Sequence, residues 1–161
     1  MPAVFIGLGS NERPAERLPA AVACLRAVDA ALRVSSVYRS AAAGAAAPDY
    51  WNAVVELSTD LAVDDLAALL ADVERAGGRT RPSRTQGICE LDLDLLLYGP
   101  RVDAARRLPR ADVLRAPFVL APLAEVAPVL RHPVTGERLG DIWEKYRATA
   151  IIERIDASAW Y

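Results

Sequence analysis

The chain has 161 residues, enough for one domain with a sizeable core, so no disulfide framework is needed to hold it together. Hydrophobic residues make up 53%, aromatics only 6%, and the formal net charge is −2, so the overall field favours neither nucleic acid nor an anionic membrane. Two cysteines, Cys24 and Cys89, and a single histidine, His132, exclude a zinc site built from four Cys and His ligands and confine any Ser-His-Asp triad to His132.

The opening MPAVFIGLGSN has no basic segment followed by a long apolar one, and no apolar run reaches the roughly 20 residues of a membrane helix. A soluble cytoplasmic protein is expected. Residues 3–8 read as a short buried strand stopped by Gly9, Ser10 and Asn11. Residues 14–32 place Leu18, Ala21, Val22, Leu25, Val28 and Leu32 at spacings of three and four, which predicts one helix with a single apolar stripe. Cys24 lies beside that stripe and is expected in the core. Residues 33–40 alternate and predict a strand, and AAAGAAAPD at 41–49, broken by Gly44 and Pro48, predicts a loop.

Residues 51–58 predict a strand with Trp51, Ala53, Val55 and Leu57 on one face and Asn52, Val54 and Glu56 on the other. Residues 63–75 predict a second amphipathic helix, with Leu66, Leu69, Leu70 and Val73 inward, closed by Gly77 and Gly78. A basic loop spans 79–89 and a fourth strand 91–98. The order βαββαβ is the ferredoxin-like pattern: an α+β sandwich whose antiparallel sheet carries both helices on one face. The tail, 118–129 and 141–161, adds at least one further helix and an edge strand. The whole of 1–161 reads as one domain.

The fourth strand, LDLDLLLYG, carries the chemistry. Side chains alternate along a strand, so Asp92 and Asp94 share one face, roughly 7 Å apart, while Leu91, Leu93 and Leu95 enter the core. Two carboxylates this close repel unless a cation sits between them. One reading is an exposed face with Arg partners. The other is a seat for Mg²⁺, which takes oxygen ligands and is completed by waters and substrate phosphates. The run GGRTRPSRTQG just upstream, with Arg79, Arg81 and Arg84, favours the second reading by resembling a phosphate clamp. Gly7-Leu8-Gly9 begins like a dinucleotide fingerprint, but the third position is Glu12; no GxxxxGK[ST] is present.

Taken together, FIGLGSN, SSVYRS, PDYWNAVVEL, Glu74 with GGRTR, LDLDLLLYG and FVLAPLAEVAP resemble, in order from about residue 4 to 130, the 6-hydroxymethyl-7,8-dihydropterin pyrophosphokinase family. The resemblance implies transfer of pyrophosphate from ATP to the pterin's hydroxymethyl group, with AMP released, in folate biosynthesis. It also implies two Mg²⁺ ions and ATP as co-substrate. It gives Asp92 and Asp94 to metal and to catalysis, together with Arg79 and Arg81. Glu74, Arg79, Arg81, Arg84, Arg110 and Arg115 fall to the nucleotide side. Ser40, Ala42, Ala43, Tyr50, Asn52 and Phe118 fall to the pterin side, with Tyr50 and Phe118 as a ring sandwich and Asn52 reading the polar edge. The partners implied are small molecules, with no nucleic acid and no membrane, in a monomer or weak homodimer.

The chain departs from the family pattern at several places. Cys89 stands where an arginine is usual, Arg110 where a histidine follows proline, and Ala116 where a second arginine is usual. Ser40-Ala41-Ala42 replaces a Thr-Pro-Pro turn, and Gln86 replaces an aromatic. A competing reading follows from these departures: a chain that binds a pterin but has lost or altered the transfer, serving a binding or regulatory role or acting on a related pterin in a specialised pathway. Of the remaining residues, Cys89 is expected to be a plain small side chain, His132 a surface turn residue and Trp51 a core residue. Trp143 and Trp160 are left between sheet cover and oligomer contact.

Overall fold

The computed structural model describes residues 1–42, 46–79 and 87–156. The apolar run near the N-terminus continues through the glycines as β1 (Ala3–Ser10) and occupies the middle of the sheet. Then come α1 (Pro14–Leu25), β2 (Arg33–Val34), β3 (Val37–Ser40), β4 (Tyr50–Ser58), α2 (Val63–Ala76) and β5 (Asp92–Tyr98). After a 3₁₀ turn at Ala104–Arg106 follow α3 (Asp112–Arg115), α4 (Pro117–Val126), α5 (Leu139–Tyr146) and β6 (Glu153–Ile155). The strands run β5-β1-β4-β3-β6 with β2 also against β4, and the pairings are antiparallel. This is the ferredoxin-like α+β sandwich that the element order predicts, with β6 added at one edge.

Alternation divides each central strand between two cores. Val4, Ile6 and Leu8 of β1, Val55 and Leu57 of β4 and Leu93 of β5, with Leu91 just before it, pack under α1 and α2, where Leu18, Leu25, Leu66 and Leu70 complete the cluster. Trp51 is half-buried and packs against the same cluster. Phe5, Val54, Leu96 and Leu97 face the other way and meet Leu120, Leu123, Leu139 and Ile142 of the tail helices. A register shift opposite Phe5 and Ile6 leaves Leu96 as an extra residue in β5, so it and Leu97 both reach this second core. The tail helices thus close one end of the second face. The end holding Gly7, Gly9, Asp92 and Asp94 lines a cavity.

Two elements differ from the sequence expectation, each for a local polar reason. The first helix ends at Leu25 rather than Leu32. Asp29 accepts hydrogen bonds from the backbone N–H groups of Ala31 and Ser58, both at 2.9 Å, and so offers the backbone an alternative to the helix. Val28 and Leu32 still pack on the first core, from turns. The strand expected over 33–40 is split at Ser35 and Ser36. Ser35 is fully buried, and its hydroxyl accepts from Val54 N at 2.9 Å, where a ladder carbonyl would otherwise do so.

Individual side chains differ from expectation as well. Cys24 is exposed, on the far side of the stripe from the core. His132 is buried rather than on the surface, because its Nδ1 accepts from the N–H groups of Val134 and Thr135, both at 3.2 Å, and closes a turn. Desolvation holds its pKa below the ordinary value. Trp143 packs against the second core, and Trp160 lies outside the described residues.

If the tail helices form a core rather than a loose cover, Leu123→Ala lowers global stability by about 2–5 kcal/mol, as other buried Leu truncations do. Urea denaturation followed by circular dichroism measures this as a single shifted transition.

Candidate active site

The site is laid out by the register of three strands. Gly7 and Gly9 of β1 pair with Asp94 and Asp92 of β5 on one side and with Val54 and Asn52 of β4 on the other. All six residues face away from α1 and α2. The glycines carry no side chain here, so the strand forms a bare floor between a row of carboxylates and an amide. A Cβ on Gly9 would come no closer than 3.7 Å to any neighbour; the chain leaves that space open without being forced to.

Over this floor lies a cavity of about 500 Å³. Tyr50 and Asn52 wall it from β4, Phe118 and Val119 from the first turn of α4, and Ser40, Ala41 and Ala42 from the end of β3. Phe118 is 41% exposed, unusual for a phenylalanine and appropriate for a ring kept free to stack on something flat. Asn52 is buried and donates its amide hydrogens to Tyr38 O at 3.1 Å and Ser40 Oγ at 2.9 Å. Because Tyr38 O can only accept, the amide orientation is fixed, and what Asn52 can offer the cavity is its oxygen.

On the other side of the carboxylates is a second cavity of about 430 Å³, lined by charged side chains including Glu74, Arg79, Arg106, Arg107 and Arg110. Asp92 and Asp94 belong to the walls of both cavities. Arg79 Nη1 lies 2.7 Å from Asp92 Oδ1 and 2.7 Å from Glu74 Oε1, and Glu74 also accepts from Leu93 N at 2.8 Å. Burial works against the charge on Arg79, but Glu74 and Asp92 outweigh it and raise its pKa. Arg110 Nη2 sits 3.1 Å from Asp94 Oδ1, with Nε 3.3 Å from Asp112 Oδ2. Burial, then the neighbouring charge of Asp92, pushes Asp94 up to about 6, against the pull of Arg110.

Asp92, Asp94, Glu74, Arg79 and Arg110 are therefore brought together at one junction, and Ser40, Ala42, Tyr50, Asn52 and Phe118 around the first cavity. Ala43, Arg81 and Arg84 lie outside the described residues. Arg115 lines neither cavity. It is exposed on α3 and borders an adjoining hollow of about 330 Å³ that shares Arg107 and Arg110 with the charged one. Cys89 is buried, as a small side chain should be. Sequence reasoning missed Arg106 and Arg107, for which a run of two arginines gave no directional signal. It also missed Gly7 and Gly9 as the floor; glycines two apart in a strand were the available clue.

For a metal, the candidates are Asp92 and Asp94. Among the described residues no group of three or more acidic, Cys or His side chains converges. Two carboxylates on a rigid strand suit a cation that keeps waters and takes phosphate oxygens, and do not suit one needing a protein cage.

An apolar slot with a free aromatic ring, joined at paired carboxylates to a slot lined with guanidiniums, is the plan of a small-molecule transferase. The chain belongs to the 7,8-dihydro-6-hydroxymethylpterin-pyrophosphokinase (HPPK) family, whose model matches residues 5–128. It is 38% identical over 151 residues to the 2-amino-4-hydroxy-6-hydroxymethyldihydropteridine pyrophosphokinase of Synechocystis sp., covering 91% of this chain and 77% of that protein. It is also 38% identical over 135 residues to the protein of the same name from Haemophilus influenzae, covering 80% and 84%. Among solved structures, wild-type HPPK-DHPS of Plasmodium falciparum superposes with a TM-score of 0.71 over 96% of this chain. The sequence identity there is 10%, so that likeness bears on the fold alone. This chain spans 48% of that one, and 43% of a triple mutant of the same protein that superposes at 0.70 over 91% of this chain.

The charge on Asp94 has a measurable consequence. Well below pH 3.8 its carboxyl is protonated in folded and unfolded chains alike. As pH rises towards 6 the unfolded chain releases the proton first, so stability falls, and above 6 the full cost is present. In buffer treated with a chelator, Asp94→Asn is expected to stabilise the fold by about 1–2 kcal/mol near pH 7.5, allowing for solvent screening. The gain fades to nothing by about pH 3. Urea titrations at several pH values test both the sign and the window.

Proposed function

We propose that this chain, as one domain over residues 1–161, transfers pyrophosphate from ATP to the hydroxymethyl group of 6-hydroxymethyl-7,8-dihydropterin, giving AMP. The observation that carries this reading is the shared wall: Asp92 and Asp94 border both cavities, so groups held in the two would meet at the carboxylates. Transfer between two substrates needs that geometry before anything else.

The pterin occupies the first cavity. Tyr50 and Phe118 stack on the bicyclic ring, and the bare strand at Gly7 and Gly9 lets its edge lie against the sheet. Asn52, with its amide hydrogens engaged by Tyr38 and Ser40, presents its oxygen to ring N–H donors. An aminopyrimidinone edge supplies such donors; a ring that only accepts would not be held. The triphosphate occupies the second cavity, facing Arg79, Arg107 and Arg110, with Arg81 and Arg84 assigned to it from the sequence. A planar guanidinium pairs two phosphate oxygens at once.

Asp92 and Asp94 would hold Mg²⁺, two ions on this reading. When bound, Mg²⁺ offsets phosphate charge and lowers the pKa of the attacking hydroxyl. The hydroxymethyl oxygen forms a bond to the β-phosphorus, the bond from that phosphorus to the α,β-bridging oxygen breaks, and AMP leaves. The hydroxyl proton passes to solvent. Arg79 and Arg110 neutralise Asp92 and Asp94 directly. With Mg²⁺ held by Asp92 and Asp94, Arg79 and Arg110 would be free to turn to the phosphates.

Incubation with ATP, Mg²⁺ and the pterin alcohol is expected to yield AMP and the pterin diphosphate in equal amounts. Pterin binding without AMP would instead favour a chain that has lost the transfer. Asp92→Ala and Asp94→Ala are each expected to lower the rate about 10²–10³-fold while the fold persists. Gly9→Val, in a strand position with room for a side chain, should weaken pterin binding about tenfold or more by occupying the floor of the cavity. Calorimetric titration with the pterin alone reads that effect without turnover.

A further inference from the structure

Residues 10–17, from the end of β1 to the first turn of α1, lie outside the reaction just described, yet their side chains reach Gly87 in the wall of the apolar cavity and the backbone of Gly77, two residues before Arg79. Asn11 is only 4% exposed. Its Nδ2 donates to Gly87 O at 2.7 Å and to Pro48 O at 3.3 Å. Its Oδ1 accepts from Cys89 N at 2.6 Å, and its own N–H donates to Cys89 O at 3.0 Å. Gly87 lines the apolar cavity, and Pro48 stands two residues before Tyr50. The two segments meet closely here. Gly87 has φ of +73°, and a Cβ on it would lie 2.9 Å from the Cβ of Ala47. One amide thus ties Gly87, in the wall of the cavity, to the segment that leads into Tyr50, distant from it in sequence.

Arg17 makes the corresponding contacts on the other side. It is 19% exposed, and its Nε donates to the backbone carbonyl of Glu12 at 2.9 Å and to the Glu12 carboxylate at 2.7 Å. Its Nη1 donates to Gly77 O, at the end of α2. Gly78, with φ of +88°, leaves the space the guanidinium needs: a Cβ there would be 2.6 Å from Nη1. Arg79 follows at once and is held by Glu74 and Asp92.

We infer that this turn is a two-ended brace: Asn11 positions the walls of the ring cavity, and Arg17 with Glu12 positions the backbone that delivers Arg79 to the charged cavity. Both are positioning residues, since neither borders the space where the reacting groups would lie. The inference rests on the proposed function for the identity of the two ligands.

The consequence is a separation of effects. Asn11→Asp keeps the acceptor for Cys89 N and sets a carboxylate against two carbonyls. Losing buried hydrogen bonds of this kind costs on the order of a tenfold factor or more in whatever they position. The full chain and its variants are assayed for KM towards each substrate, for binding of the pterin alone and of a non-hydrolysable ATP analogue with Mg²⁺, and for melting temperature. Asn11→Asp is expected to raise KM and Kd for the pterin about tenfold and leave those of the nucleotide within about twofold. Arg17→Met is expected to do the reverse. The inference is overturned if the variants shift both ligands together, or shift neither. Should Asn11→Asp fail to fold, Asn11→Ser and the partly exposed Arg17 arm decide the matter by the same criterion. If the wild-type chain binds both ligands but forms no AMP, the proposed reaction fails, and the brace is still judged on binding.

Discussion

The register of β1 between β5 and β4 is the constraint on which the rest depends. Each strand has a period of two, so a slip of one residue would exchange the leucines and the aspartates of β5. Burial of a leucine side chain contributes roughly 1.5–3 kcal/mol, and burying a carboxylate in its place costs more than that. Leu91 and Leu93 under the helices therefore hold Asp92 and Asp94 on the opposite face. The same register sets Gly7 and Gly9 between the carboxylates and Asn52. The packing that stabilises the first core is thus also what aligns the chemical groups on the second face. That face is not wasted as surface: Leu96 and Leu97, brought to one side by the bulge, anchor the tail helices, and α4 in turn presents Phe118 over the floor.

Charge is handled by pairing each aspartate with a guanidinium from a different element. Arg79 comes from the segment just after α2 and Arg110 from the segment before α3. Partly buried ion pairs of this kind are close to break-even in stability, since desolvation offsets attraction. A pair near break-even can exchange partners at little cost. On the proposed reading this is useful: a polyphosphate with its cations brings both signs of charge, and the site can redistribute them without leaving any group uncompensated. Glu74 limits how far Arg79 can move. It is itself buried and fixed by Leu93 N, so Arg79 keeps one partner at Nη1 whatever its other nitrogen atoms contact.

Much of this architecture is legible in the sequence because the signals are repetitive. Alternation in residues 51–58 and 91–98 and the three-four spacing in 63–75 each specify a face as well as an element. The aspartates stand out because two charges interrupt an apolar run. Reading fails where a single polar group overrides a pattern. Asp29 draws the chain out of the helix while the apolar stripe continues, and the Ser35 hydroxyl substitutes for a carbonyl in the ladder. His132 is taken inside because two backbone N–H groups converge on it, a condition set by the turn and invisible in composition. Asn11 shows the same limit at the site. Its neighbours in space, Pro48, Gly87 and Cys89, lie at sequence distances from which no local rule could link them to it.

The departures from the family pattern can be judged in the same physical terms. Cys89 and Ala116 are both buried, and neither lines the charged cavity. Arg107 and Arg110 do line it, alongside Arg79, and Arg110 already touches one of the carboxylates. Stabilising a transferring phosphoryl group requires positive charge and donors at a place in space, whichever backbone position supplies them. A guanidinium carries five N–H donors on a long stem, so it can reach one such place from several starting points, where a histidine or a shorter side chain could not. Within the resemblance, Arg110 stands where a histidine is usual and arginines are missing at 89 and 116; on the proposed reading the charge comes instead from Arg79, Arg107 and Arg110. On the proposed reading the cations are rearranged around the pair of aspartates, with Arg79 holding one and Arg110 the other.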